Sequence, residues 1–480
     1  MSLSSYTKEF KYNFKIAYPV ILGMLGHTLV GFVDNVMVGK VGITELGAAA
    51  LGNTAIFIAM SFAIGFSIAS TSLVAMADEA GDKPTAQSIL NHGMVLNVIL
   101  GVVLFLLLFF VEPVMRYTGQ SEKVIELAVP YTHLVAFSLI PLGVFTTFKQ
   151  FADGLSMTKY AMYVTILANL LNVFLNYLFI YGNWGCPKLG VLGAGIGTLV
   201  SRIVMPIMLF FMLKNLEKSR EYVMSISFKN MQQAMYKKIT ALGLPTAMQM
   251  IFETGIFTAA IWISGMLGEN HLSANQIALN LSSMTFMVAN GLGITAMIRV
   301  GNQLGARNYA NLRRVAISVF LLVLCTQVFF ALLLAVFRTW LPSLYLEMDN
   351  IEKLANNTLV IGEAANLLLI AAIFQISDGM QVTALGALRG VQDAKVPMYI
   401  TFVAYWLIAF PILYVLGVHT NLGTMGIWIG LLTGLTVAAV RGGAGRHPGG
   451  AAQVRGGPGA GRLEAAPGHL LPGGAGHVRP

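Results

Sequence analysis

Long apolar runs alternate with short polar ones along the whole of this chain. Twelve runs can be drawn, at approximately 16–39, 45–72, 91–111, 126–147, 160–181, 191–213, 240–267, 273–298, 315–337, 356–382, 397–417 and 424–440. An α-helix of about 20 residues rises about 30 Å, the thickness of a bilayer's hydrocarbon core. The runs are continuously apolar, without the in/out alternation of a membrane barrel strand, so they read as helices. The pattern predicts an all-α membrane protein with twelve transmembrane helices. The first run is long enough to span and has no small-residue cleavage pattern behind it, so it is expected to be retained.

The charged segment 214–239 separates two sets of six runs, and the sets resemble each other. Gly154, Lys159 and Tyr163 recur as Gly390, Lys395 and Tyr399 at an offset of 236, Gly190, Gly193 and Gly197 recur as Gly423, Gly426 and Gly430 at 233, and Pro19 recurs as Pro245 at 226. The turns at Gly81 and Gly305 are matched as well. The expected organisation is an N-terminal six-helix lobe over 1–214, an inter-lobe loop over 215–239, a C-terminal six-helix lobe over 240–440 and a separate tail over 441–480. An even number of helices per repeat relates the lobes by an axis along the membrane normal, with ion and substrate sites near mid-membrane.

Composition narrows the class. The chain is 56% hydrophobic and 11% charged, with a mean hydropathy of +0.72, against about 25% charged in soluble domains. Its net charge of +9 follows from orientation rather than from a nucleic-acid partner. The face shared with the N-terminus carries seventeen Lys and Arg, Arg389 among them, while the other carries six: Lys40, Arg116, Lys123, Lys188, Arg338 and Lys353. Positive charge stays inside, which puts the N-terminus in the cytoplasm of a cell with the chain in its inner membrane. Cys186 and Cys325 are too far apart in this topology for a disulfide or a metal site. Neither a GxxxxGK[ST] loop nor a soluble domain for ATP hydrolysis occurs. The chain is therefore expected to be no enzyme, to need no cofactor and to draw on an ion gradient. The tail has Arg but no Lys and no aromatic residue, and is dense in Gly, Ala and Pro. That reads as disordered, and as a frame-shifted or artificial end.

Ionisable groups inside spans are costly, about 2.5–3.5 kcal/mol at mid-helix on insertion scales, so each is a candidate functional residue. In the first run Asp34 lies on one stripe with Gly31 and His27, where a carboxylate can take up a proton or Na⁺. A helix-end role for Asp34 and a packing role for His27 are the plainer alternatives. The fifth run places Asn169, Asn172 and Asn176 on one face, able to coordinate a cation, to hydrogen-bond an aspartate or to join helices. In the second half Gln249 and Glu253 lie one turn apart, Asp378 is flanked by Gln375 and Gln381, and Gln276, Asn280 and Ser283 share a stripe. Glu253 and Asp378 with these carbonyl oxygens are a candidate Na⁺ cage, or, if close enough to repel, a shared-proton pair. The repeat does not impose these groups: Ile408 and Ile412 match Asn172 and Asn176, and His27 and Leu142 match Glu253 and Asp378. Arg202 and Arg299 are expected to snorkel to the cytoplasmic surface, and Glu363 to be a structural or gating residue.

Over residues 15–440 the chain resembles the multidrug and toxic compound extrusion (MATE) transporters, in their NorM branch. The resemblance rests on VDNVMVG in the first run, NxxxNY followed by FIYG in the fifth, GAGIGT in the sixth, FET in the seventh and SDGMQVTALGALRG in the tenth. It implies a V-shaped pair of six-helix bundles, acting as a monomer among membrane lipids and exporting amphipathic organic cations in exchange for Na⁺ or H⁺. It also implies an N-lobe cation site of Asp34, Asn172, Asn176 and Thr198 and a C-lobe cation site of Glu253 and Asp378. Asn176 stands where some members carry aspartate, which speaks against proton-only chemistry in the N-lobe. A lipid-linked saccharide flippase of the same superfamily would need a cationic cavity for phosphates, and a channel or scaffold would not need buried acids.

Overall fold

A computed structural model describes residues 3–117, 121–229, 231–345 and 351–443. These are almost entirely helical, and twelve of the helices are long and apolar enough to cross a membrane. In chain order the spans are α1 (Tyr6–Gly39), α2 (Ile43–Glu79), α3 (Lys83–Phe109), α4 (Glu122–Gly154), α5 (Thr158–Tyr181), α6 (Val191–Lys214), α7 (Gln233–Leu267), α8 (Glu269–Gly305), α9 (Tyr309–Val336), α10 (Asn357–Gly390), α11 (Lys395–Val418) and α12 (Thr424–Gly443). The all-α, twelve-span expectation is borne out. Most of the tail, from residue 444 onward, lies outside the described residues.

Several helices run past their apolar stretches, because a polar residue at a helix end satisfies its backbone as well as an apolar one does. The segment expected as a loop over 215–239 holds a helix, Glu217–Met224, and the first turns of α7. Within α4 the helix is broken at Ser138, whose hydroxyl donates to the Val135 carbonyl. A π-helical stretch, Val403–Ala409, interrupts α11.

The backbone repeats itself. Left-handed residues occur at Gly81 and Arg307, at Ser156 and Gln392, and at Gly190 and Gly423, the offsets being 226, 236 and 233. Arg307, rather than Gly305, is thus the partner of Gly81. Each of these first two is followed by a capping residue: Asp82 accepts from the Thr85 amide at 3.1 Å and Asn308 from the Asn311 amide at 3.1 Å, opening α3 and α9 alike. Close packing repeats too, for a Cβ on Gly193 would strike the Phe179 carbonyl and one on Gly426 the Leu416 carbonyl.

α1 begins and α12 ends at the same end of the bundle, here termed proximal. Contacts joining the first six spans to the last six cluster there. Arg299 of α8 donates to Glu9 at 2.5 Å and to Asn13 at 3.1 Å, Arg314 of α9 donates to Glu9 at 3.2 Å, and Asn13 donates to Ser318 at 3.1 Å. Gly65 of α2 packs on Ala247 of α7, and Gly301 of α8 on Ala75 of α2. Arg299, 8% exposed and stacked over Tyr12, is pinned between spans and does not snorkel.

Away from this seam each half has its own core. The first gathers Phe66, Phe148, Phe151 and Leu209, the second Phe374, Tyr405, Leu431 and Trp428. Large apolar residues such as Leu107, Phe110, Phe329 and Leu332 face outward, as a lipid-exposed surface requires.

Candidate functional site

Asp34 is half-buried in α1 and meets two amides of α5. Asn176, fully buried, donates through Nδ2 to Asp34 Oδ1 at 2.6 Å. Asn172, with its amide oriented to satisfy both ends, donates to the same oxygen at 2.8 Å and accepts from the Thr198 backbone amide at 3.2 Å. Spacing i, i+4 on α5 is what puts the two amides side by side. Gly197 of α6 makes the room, since a Cβ there would collide with Asn176 Oδ1. Asp34, Asn172, Asn176 and Thr198 thus form one cluster in the first half. Asn169 lies a turn away beside Gly26, its Nδ2 buried without a partner, and His27 is exposed and makes none of the cluster's hydrogen bonds.

A guanidinium faces this cluster. Arg202, midway along α6, donates to Ser138 Oγ at 2.8 Å and to Met60 Sδ at 3.4 Å, and lies within electrostatic reach of Asp34. It does not snorkel outward: its partners sit on α2 and at the α4 break, inside the half.

The second half holds the other acids. Asp378 of α10 is 3% exposed, and its Oδ1 has no hydrogen-bond partner. Glu253 of α7 is half-buried and within electrostatic reach of both Asp378 and Arg389. Arg389, counted from sequence among the surface charges, donates to Gln249 Oε1 at 2.8 Å, one helical turn from Glu253, and its Nε is buried without a partner. Tyr405 donates to Gln381 Oε1 at 2.7 Å, while Gln381 Nε2 is buried without a partner. Gln375 donates to the Gln327 backbone carbonyl at 3.3 Å, and Gln327 to the Thr285 carbonyl at 3.4 Å.

Other sequence candidates fall elsewhere. Gln276 is exposed and donates only to Asn280, at 3.3 Å, while Ser283 bonds the Asn280 carbonyl; neither amide reaches the carboxylates through these bonds. Glu363 joins three spans, accepting from Thr424 of α12 and pairing with His271 Nδ1 of α8 at 2.5 Å. Sequence reasoning missed Gln327, Arg202 and Arg389 as members of buried clusters. Gln327 did carry a signal, as the one amide within the apolar run 315–337.

Among the described residues no group of three or more His, Cys, Asp or Glu is placed to hold a metal ion. A transition metal would call for such a group, whereas a hard monovalent cation needs only oxygens, carbonyl oxygens included.

Two of the clusters and the twelve-span fold now stand beside known proteins. Residues 19–178 and 245–415 match the MatE family model. The multidrug resistance protein NorM of Vibrio vulnificus (strain YJ016) is 33% identical over 439 residues, covering 90% of this chain and 94% of that protein. The multidrug resistance protein MdtK of Photorhabdus laumondii is 31% identical over 446 residues, covering 91% and 95%. Among solved structures, an outward-facing multidrug resistance MATE transporter superposes with a TM-score of 0.80 at 21% identity, covering 90% of this chain and 93% of that one. The eukaryotic MATE transporter AtDTX14 superposes with a TM-score of 0.81 at 19% identity, covering 92% and 96%. With the family model matched over both halves and the relatives aligned along nearly their whole length, this chain belongs to the MatE family and is a multidrug-efflux MATE transporter rather than an enzyme.

Proposed function

We propose that the protein is a secondary antiporter, exporting amphipathic organic cations from the cytoplasm in exchange for Na⁺ or H⁺. The observation that carries the reading is an acidic side chain taken into each half, half-buried Asp34 held by the amides of α5 and buried Asp378 on α10. Such groups are costly in a bilayer and are retained where they bind and release charge. The proximal end, cytoplasmic by its excess of Lys and Arg, is where the halves are bonded together. Rocking of one half on the other about that seam would expose the two sites to either side of the membrane in turn.

A cation arriving at a carboxylate shifts the balance of the two arrangements only by the difference in its affinity for them. Here Arg202 and Arg389 supply that difference: each is a half-buried positive charge within electrostatic reach of an acid, Arg202 of Asp34 and Arg389 of Glu253, and can neutralise it when the ion has left. An organic cation drawn to the same negative sites competes with the coupling ion, and exchange follows. The protein acts as a monomer in a bacterial inner membrane, with no cofactor.

Efflux of ethidium from cells making Asp34→Asn or Asp378→Asn tests the reading. Each is expected to lower the efflux rate at least about tenfold, a decade being about 1.4 kcal/mol. Full activity in both variants would remove the carboxylate mechanism.

A further inference from the structure

Arg313 and Arg314, adjacent near the start of α9, line a cavity of about 300 Å³ at the proximal end, together with Ala310 and Ile317 of the same helix and Tyr6 of α1. Its walls therefore come from both halves, α1 opening the first and α9 lying in the second. Three guanidinium groups gather near this end of α1, and Glu9 bonds only two of them: Arg299 donates to it at 2.5 Å and Arg314 at 3.2 Å. Arg313 is exposed and has neither a hydrogen bond nor an ion pair among the described residues. Arg314 Nε is buried without a partner. By contrast Arg116, an exposed arginine of the first half, is paired with both Glu112 and Glu122 at 2.8 Å. Positive charge in excess of its carboxylate thus converges on one hollow.

Arginines at the ends of spans commonly snorkel, with the stem on apolar surface and the head in bulk water. That would account for Arg313 alone, but not for the buried, unpartnered nitrogen of Arg314 beside the same cavity. A guanidinium holds phosphate oxygens through paired, charge-assisted hydrogen bonds, and basic hollows between spans take anionic headgroups. The surface deeper along α9 distinguishes a lipid from a free phosphate. Ile317, Phe320 and Leu324 follow Arg313 at i+4, i+7 and i+11, which is one stripe of the helix, and Leu324 faces outward. A free phosphate has no use for such a stripe, whereas a molecule with phosphate at one end and hydrocarbon below it matches both parts.

We infer that the hollow between α1 and α9 binds the phosphate of an anionic phospholipid, with Arg313 and Arg314 on the headgroup and the stripe of Ile317, Phe320 and Leu324 along an acyl chain. A lipid held there touches both halves at the seam where Glu9 already ties them. The inference concerns neither the coupling ion nor the exported molecule, so it stands or falls apart from the exchanger reading.

The test titrates dioleoyl phosphatidylglycerol onto the purified protein in detergent, with bound lipid counted by native mass spectrometry. The wild type is expected to retain one such lipid saturably, and more tightly than dioleoyl phosphatidylcholine. Arg313→Gln, at an exposed and unpaired position, is expected to weaken that binding about tenfold. Ile317→Trp, which fills the hollow without changing its charge, is expected to do the same and gives a second reading. Arg220→Gln, at an exposed arginine on the short helix Glu217–Met224, removes the same charge away from the hollow and should weaken binding less than about twofold. Equal losses in Arg313→Gln and Arg220→Gln would mean diffuse surface attraction and would overturn the site. Equal retention of the two lipids would overturn recognition of an anionic headgroup. Displacement of the bound lipid by inorganic phosphate at equal concentration would overturn the assignment to a lipid.

Discussion

Asp34 and Asp378 are each an aspartate inside a helical half, with glutamine or asparagine side chains at helical spacing around them. The amides point in opposite senses. Around Asp34 they present nitrogen, two N–H donors meeting one carboxylate oxygen at 2.6 and 2.8 Å. In the second half Gln327 and Gln375 spend their nitrogens on backbone carbonyls and leave their oxygens, like Asp378 Oδ1, without a donor. Residue type therefore leaves the chemistry open, and the partner on the far side of each amide decides it. A carboxylate with donors around it is stable as an anion alone. A buried carboxylate oxygen without a donor needs a proton or another cation.

The largest expected effect separates the two halves directly. Asp378→Asn should cost more transport than Asp34→Asn, by about tenfold between them, because an amide at 34 can still accept from Asn172 and Asn176 while Asp378 Oδ1 has no such donors to keep. Ethidium efflux rates of the two variants at matched expression check this. Equal losses would dissolve the distinction.

A smaller effect probes the first half alone. Gly197→Ala should drive Asn176 off Asp34 and lower the efflux rate several-fold, losing roughly 1–1.5 kcal/mol from one charge-assisted hydrogen bond. The equivalent change at Gly430 closes on Leu413 rather than on a polar group, so it should lower the melting temperature without altering which ion drives transport.

The smallest effect is a control in which the halves should agree. Asp82→Ala and Asn308→Ala remove matched caps, and each should cost about 1 kcal/mol of stability or less, read as a shift in melting temperature. Only the first responds to acid. Its hydrogen bond from Thr85 holds the Asp82 carboxyl below its ordinary value of 3.8. A depressed folded-state value means that the contribution is whole above the ordinary value and is lost as pH falls through the depressed one. Asn308 has nothing to titrate.

Much of the fold could be read from run length alone, since about 20 apolar residues can do little but span. The repeat could be read from glycines because close helix approach tolerates no Cβ, as at Gly193 and Gly426. The Asp34 cluster was half legible: i, i+4 spacing aligned Asn172 and Asn176, and only the rotation of α1 against α5 brought Asp34 to them. Gln327 stood out as the lone amide of its run, yet nothing in the spacing tied it to Asp378 on another helix. Arg202 and Arg389 were misread for a different reason. Long cationic side chains usually reach for the surface, and here Ser138 and Gln249 hold them inside instead.

Uptake of an organic cation into proteoliposomes, with Na⁺ and pH gradients imposed one at a time and then collapsed by ionophores, tests the account most directly. The account predicts accumulation above the external concentration while an oppositely directed cation gradient lasts, and decay to equality once it is collapsed. Flux that only ever runs downhill, at the same rate with or without either gradient, would contradict it.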